Sequence, residues 1–416
     1  MPKSILTPWP NRRAWETRPL QQPPSDKQDL DRIHTLESIE DVTPEEWNSL
    51  DSGGNPFLRH EFLAALEASG SACIGTGWQP KHLVLRRGGC VVAAMPLYEK
   101  GHSWGEFVFD HAWAEAFHRA GRSYYPKLVS CVPFTPVTGP RLLVGQDSPD
   151  QSRDVLIRAA IDLCSETGAS SLHLLFPNDD DVERLRPRQL MIRKDCQYHW
   201  KNRGYASFAD FLSGFRSARR KKLLRERRRV AEAGIKFRVV GGTELDDAML
   251  DQIFRMHAIT FLRRGQRPYL NRDCFGRMRD SIGAAMVVVL AEKNGRPIAC
   301  AVSFRSQGGL YGRYWGCEEY HDSLHFETCF YQGIEYCIDR GLDKFEPGAQ
   351  GEHKLRRGFD PSVTWSAHWV SDPAFATAIG EYLDQERGWV DRYVIDARDK
   401  LPFHRDADGG TREDKP

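Results

Sequence analysis

The stretch Ala285-Met286-Val287-Val288-Val289-Leu290-Ala291-Glu292-Lys293-Asn294-Gly295-Arg296-Pro297-Ile298-Ala299-Cys300-Ala301-Val302-Ser303-Phe304-Arg305 sets the fold. Two β-branched, apolar runs flank Asn294-Gly295, the pair that most favours a tight type I′ hairpin turn. The reading gives strands over 285–293 and 296–305. Gly308-Gly309 follows, and Leu310 to Gly316 reads as a third strand. Ser323 to Arg340 then carries Phe326, Cys329, Phe330, Gly333, Ile334, Cys337 and Ile338 at helical spacing, and Gly341 ends it. Lys344 to Glu346 and Val363 to Val370 are further strands. Ahead of the hairpin stand a strand at Ile235 to Val240 and a helix at Thr243 to Phe261.

The first half repeats this order in pattern, with little shared sequence. A helix is expected over Phe57 to Ser69. Lys81 to Arg87 and Cys90 to Lys100 form a hairpin around Gly88-Gly89, and Trp104 to Asp110 is a third strand. Ser152 to Thr167 is a helix and Ser171 to Phe176 a buried strand. A meander, a helix and a returning strand, taken twice, give an α/β fold with mixed sheets. It is read as tandem acetyltransferase-like domains related by a pseudo-twofold axis. The expected division is a tail over 1–28, a first domain over 29–205, a basic connecting helix over 206–232, a second domain with the main site over 233–405, and a tail over 406–416.

A chain of 416 residues suits two such domains. Lys plus Arg number 58 against 57 acidic residues, so only local charge clusters are informative. The 10 cysteines form no C-x-x-C pair, and reduced thiols in a cytoplasmic protein are expected. No run approaches the ~20 apolar residues of a membrane span. His321 and His325 stand at i, i+4 with Glu327 nearby, but no third ligand lies at a persuasive distance, so no metal is expected. Neither a Walker loop nor a Gly-x-Ser-x-Gly elbow occurs.

Three longer stretches carry a family resemblance. They are Asn55-Pro56-Phe57 through Gly70, Pro96-Leu97-Tyr98 through Pro140-Arg141, and His325-Phe326-Glu327 through Arg357-Gly358-Phe359. In these the chain resembles the FemAB-like proteins of the acetyltransferase superfamily, the branch described as peptidoglycan biosynthesis or recognition proteins and as N-acyltransferases. The resemblance spans about 30–403. It implies tandem acetyltransferase-like domains and transfer of an acyl or aminoacyl group onto an amine; the expected enzyme takes that group from an activated carrier in a cleft between the halves.

Phe345 to Phe359 is the leading site candidate. Glycines at 348, 351 and 358 give backbone freedom amid Gln350, Glu352, His353, Lys354, Arg356 and Arg357. By the resemblance, Lys354 would steady negative charge on the acyl oxygen. His353 or Glu352 would take the amine proton. Gln350, Arg356, Arg357, Trp315, Tyr314, His325, Tyr331, Thr135 and Arg141 are candidate substrate contacts.

Arg216 to Arg229 packs nine basic residues around one acid, Glu226. With Ser323 at a helix start, Arg219, Arg220 and Lys222 are candidate phosphate contacts for the donor. No Gln/Arg-x-x-Gly-x-Gly/Ala phosphate loop is present, which leaves the donor open among acyl-CoA, acyl-carrier protein and aminoacyl-tRNA. No tightly bound cofactor is expected. The competing expectation is a non-catalytic recognition module for an anionic cell-wall precursor or an RNA.

Overall fold

The computed structural model describes residues 31–188, 190–349 and 351–404; the two tails, Gln189 and Gln350 lie outside them. The strands are β1 Arg32–Leu36, β2 Trp78–Pro80, β3 His82–Arg87, β4 Cys90–Met95, β5 Tyr98–Lys100, β6 Lys127–Ser130, β7 Leu143–Val144 and β8 Ser171–Leu175. They continue with β9 Met191–Lys201, β10 Ile235–Gly241, β11 Met286–Lys293, β12 Arg296–Arg305, β13 Gly309–Cys317, β14 Lys344–Glu346 and β15 Asp360–Val370.

The decisive hairpin forms as read. β11 and β12 pair antiparallel around Asn294 and Gly295, both with positive φ, as a type I′ turn demands. β10, β11, β12 and β13 form an antiparallel meander, and β13 then pairs parallel with β14. The helix that connects them is interrupted: Leu324–Phe326 and Gln332–Arg340 are α-helical, while Glu327–Tyr331 forms a π turn.

One sheet of eleven strands runs through both halves in the order β10-β11-β12-β13-β14-β9-β15-β8-β6-β5-β2. Its centre explains the symmetry. β13 and β14 are parallel, and β9 closes beside β14 antiparallel. On the other side β6 and β8 are parallel, and β15 closes beside β8 antiparallel. β9 and β15 lie antiparallel to each other over nine residue pairs, from Asp360↔His199 to His368↔Met191. The pseudo-twofold axis passes between them. Each is the last strand of its own half, and each completes the other half's sheet. The long helix Pro373–Asp399 straps this seam, with Arg193 bidentate to Glu386 at 2.8 Å and Lys194 on Asp391.

Several expectations are corrected. The run from Cys90 to Lys100 is two strands, because Pro96 has no N–H for a ladder; β4 ends at Met95 and β5 joins the larger sheet. Trp104 to Asp110 is irregular: Phe107 has φ 61°, which breaks an extended run, and Asp110 leads into the helix His111–Arg119. The first-half helix starts at His60, after a 3-10 turn over Pro56–Leu58. The helix expected from Thr243 starts at Asp247, where the Asp246 side chain accepts from Met249 N–H. β9, the helices His111–Arg119 and Arg272–Ile282, and Pro373–Asp399 were not anticipated.

Candidate acyl-transfer site

The parallel pairing of β13 with β14 lasts three residues, from Gly309↔Lys344 to Tyr311↔Glu346. Pro347 then ends it, since it brings no N–H to the ladder. A bulge on the other edge of β13, between Val302 and Ser303, sets Arg313 outside the register. The two strands therefore splay. Gly312 lets them separate from a close start: a Cβ there would lie 3.2 Å from Pro347 Cα.

The splay holds a cavity of about 190 Å³, walled by Ala301, Val302, Ser303, Gly312, Arg313, Tyr314 and Trp315 on the strand side. His325, Cys329 and Phe330 wall it from the interrupted helix, and Pro347, Gly348, Ala349, His353 and Lys354 from the loop.

The loop after β14 winds into a 3-10 helix, Glu352–Arg357. This short helix divides its residues. Lys354, Leu355 and Arg357 are buried, while Glu352, His353 and Arg356 are exposed. Gly351 makes the entry with φ 118°, a conformation that L side chains rarely adopt, and a Cβ there would meet the His353 ring at 2.3 Å.

Lys354 is 2% exposed. Its Nζ donates to the Gly348 carbonyl at 2.5 Å, and no carboxylate pairs with it among the described residues. Burial pushes its pKa down to about 7. Burial also lowers His325 to about 4, helped by His353, Arg357 and Lys354; the ring of His353, exposed on the side away from the cavity, is lowered by its partial burial on the cavity side and by Arg357 and Lys354. Near neutral pH the cavity therefore holds an amine poised between its charged and neutral forms, beside two imidazoles held toward their neutral form.

His353 is also a wall of a second, larger space. A groove of about 1240 Å³ runs along the basic helix Ser217–Glu232 and takes in Arg219, Lys221, Lys222, Arg225, Asp322, Ser323, Glu352 and Arg356. The helix turns Leu223, Glu226 and Val230 inward. Arg227 binds Glu327 and Glu335 on the π turn and the helix after it, and Arg229 binds Asp322. Among the described residues Arg219, Lys221, Lys222 and Arg225 take part in no ion pair. This is where anions can meet the like-charge run and relieve its repulsion.

The remaining predicted contacts separate by what they touch. Trp315, Tyr314 and His325 line the cavity. The Tyr314 hydroxyl is buried without a hydrogen-bond partner. Arg219, Lys222, Ser323 and Arg356 line the groove, and Arg220 does not. Glu352 turns outward and accepts from Tyr393 Oη at 2.8 Å, away from Lys354. Arg357 is committed internally: Nη2 binds Glu226 at 2.9 Å, Nε donates to Tyr331 Oη at 3.0 Å, and its guanidinium stacks 3.4 Å over Phe326. Tyr331 donates to the same Glu226. This cluster fixes the basic helix to the site loop. Ser323 has φ 68° and caps no N–H with its side chain, so the expected helix start lacks its cap. Thr135 donates to Pro133 O, and Arg141 is fully buried with its guanidinium on the carbonyls of Val137, Gly139, Pro140 and Leu175. That loop still reaches the site by its backbone, since Arg313 donates to Phe134 O. The sequence reading missed Cys329, Phe330 and Arg313; their types signal core or surface, and only the splay makes them cavity walls.

A model of the FemAB-like family, described as peptidoglycan biosynthesis/recognition, matches residues 38–405. The chain belongs to the FemAB-like family. That membership carries the class of activity, acyl or aminoacyl transfer. No curated protein matches this FemAB-like chain by sequence. Among solved structures, FemX is similar with TM-score 0.50 and 10% identity, over 84% of this chain and 100% of FemX. L-PGS from Bacillus licheniformis aligns with TM-score 0.47 and 11% identity over 79% and 97% of the two chains. A tandem GNAT protein from the clavulanic acid biosynthesis pathway aligns with TM-score 0.43 and 10% identity over 83% and 99%. The FemX likeness supports the fold. No described helix of this FemAB-like protein is long and apolar enough to cross a membrane.

Proposed function

We propose that the protein transfers an acyl or aminoacyl group from a phosphate-bearing carrier to an amine, with the reacting carbonyl in the splay beside Lys354. One observation carries this: a buried lysine without a carboxylate partner lies in a cavity that shares His353 with a basic groove. Perturbed groups of this kind concentrate at sites of chemistry. The groove follows a helix of 16 residues, about 24 Å long, enough for several successive phosphates. An aminoacyl-tRNA acceptor end suits that length. The family description points to an amine of a cell-wall precursor as acceptor.

In this reading the amine nitrogen attacks the carbonyl carbon, and the carbonyl oxygen gains the negative charge. Neutral Lys354 accepts the proton that the amine nitrogen releases. It thereby becomes an ammonium beside the new oxyanion, where a fixed charge in a dry site is effective. The bond to the carrier's oxygen or sulfur then breaks, and Lys354 returns the proton to that leaving atom. Lys354 combines the two roles that the sequence reading divided between Lys354 and His353 or Glu352. His353, at the junction of the two spaces, is placed to orient the carrier's terminal group.

The test pairs binding with turnover. Charged tRNA, acyl-carrier protein and acyl-CoA are compared for thermal stabilisation of wild type and of Arg219→Glu/Lys222→Glu. The carrier that stabilises wild type is then offered with cell-wall precursor amines. Stabilisation lost in the double variant, and transfer lost in Lys354→Met, support the reading. Full transfer by Lys354→Met sinks it.

A further inference from the structure

The splay cavity is bounded by aliphatic, aromatic and basic side chains with the hydroxyls of Ser303 and Tyr314 and the Cys329 thiol, and no Asp or Glu lines it among the described residues. We infer that the acyl group held in this cavity carries no positive charge: it is a plain acyl group, or an aminoacyl group whose α-amine is capped or uncharged. This rests on the transferase reading above and narrows it.

A free aminoacyl group brings an ammonium two bonds from its carbonyl. A buried ammonium requires an acid or several well-placed carbonyls. None of the neighbouring acids lines the cavity. Glu352 faces Tyr393 and Glu226 holds Arg357 and Tyr331, while Glu346 binds Lys344 at 2.7 Å through one oxygen and keeps the other buried without a hydrogen-bond partner. The Gly348 carbonyl, which faces the space, already accepts from Lys354. The fixed cation in the wall, Arg313, repels a second positive charge. Lys354 itself reports on the cavity, because burial there lowers its pKa and so disfavours its positive charge. Against this, the aromatic faces of Trp315 and Phe330 offer a cation only a modest attraction. Trp315, Phe330, Val302 and Cys329 suit a short uncharged chain better.

The experiment needs no knowledge of the carrier. N-methylpropionamide and N-methylglycinamide are nearly the same size, and one ends in a methyl where the other ends in an ammonium. Their binding to the full chain is measured by ligand-observed NMR at millimolar concentrations, with Lys354→Met as the control for the site. At about pH 6 the propionamide should bind at least about tenfold more tightly. At about pH 9 the α-amine, whose ordinary pKa is about 8, is neutral, and the gap should close to about twofold. Ser303→Asp, which places an acid in the wall, should reverse the preference at the lower pH; the wild-type pH comparison stands if that variant does not fold. Equal binding at about pH 6, or tighter glycinamide binding, overturns the inference and leaves the transferase reading intact. If Glu346→Gln then removes the glycinamide binding, the acid that receives the ammonium is identified. Binding of neither amide at either pH shows that the cavity holds no acyl group, and both readings fall.

Discussion

Both halves of the molecule bury lysine, and Lys127 of the first and Lys354 of the second stand in opposite surroundings. Lys127, at the start of β6, is fully buried and binds Glu106 and Ser103 at 2.8 Å and also Asp110. Burial alone would lower its pKa, but the two acids outweigh burial and raise it. Lys354 is as deeply buried, has no acid, and falls to about 7. The same side chain is thus a permanent charge that ties irregular residues 103–110 to the sheet in one half, and a titrating amine in the other. What separates them is whether the fold supplies a counter-charge. Burial is common to both.

The sharpest way to break this contrast is to remove the paired lysine. Lys127→Met leaves two buried carboxylates facing each other and should cost about 3–5 kcal/mol of stability in urea denaturation. A loss below about 1 kcal/mol would show the cluster to be no strut.

Lys354→Met should behave the other way. Transfer falls about 10²–10³-fold, while the folded chain is as stable as wild type or more so, because a buried amine is replaced by an apolar chain of similar length. Turnover and urea denaturation of the same preparation check both halves of that statement.

The pH dependence sharpens it further. The folded pKa of Lys354 lies near 7, below its ordinary 10.5, so between these values the unfolded chain binds more protons than the folded one. Stability from this group therefore rises with pH across that window, and its cost is complete below pH 7. The advantage of Lys354→Met should be largest below about pH 7 and vanish above about pH 10. The transfer rate of wild type should climb as pH passes through about 7, as the neutral amine forms.

Smaller effects are expected further out. Arg219→Glu/Lys222→Glu should weaken carrier binding about tenfold and make its salt dependence shallower by about two phosphates, read from affinity against salt concentration. Lys100 lies between the two extremes. It is buried, with Nζ 3.5 Å over the Trp78 ring and a pKa lowered to about 7 by burial against the pull of Glu106. Lys100→Met should shift stability by about 1 kcal/mol or less, since the lost ring contact and the relieved burial oppose each other.

The site loop was legible because its residues are out of place in a core or an ordinary turn: Glu352 to Arg357 set among glycines. The meander was legible because Asn294-Gly295 admits few structures. Direction was not legible. Glu352 and Lys354 are two residues apart, yet a 3-10 turn sends one to Tyr393 and the other into the splay. The opposite wall was hidden for another reason. Val302, Cys329 and Phe330 are ordinary core residues until Pro347 parts the strands. The central seam escaped because β9 is largely polar, with Arg193, Lys194, Asp195, Gln197 and His199, and its partners lie far along the chain. Local pattern carries no record of such pairings. Pro373–Asp399 was missed because only Ile379, Leu383, Val394 and Ala397 of its 27 residues are buried.

The crossing of β9 and β15 has a consequence for how the chain is made. β8 waits for Ser366 through Val370 to lie beside it, and Ser366 follows its partner Leu175 by 191 positions. During synthesis the first half therefore leaves the ribosome with one sheet edge open, and the strand that closes it is among the last to emerge. Completion of either half is then a late event shared by both. A polypeptide cut near residue 205 should yield two pieces that are each insoluble alone and regain structure when expressed together.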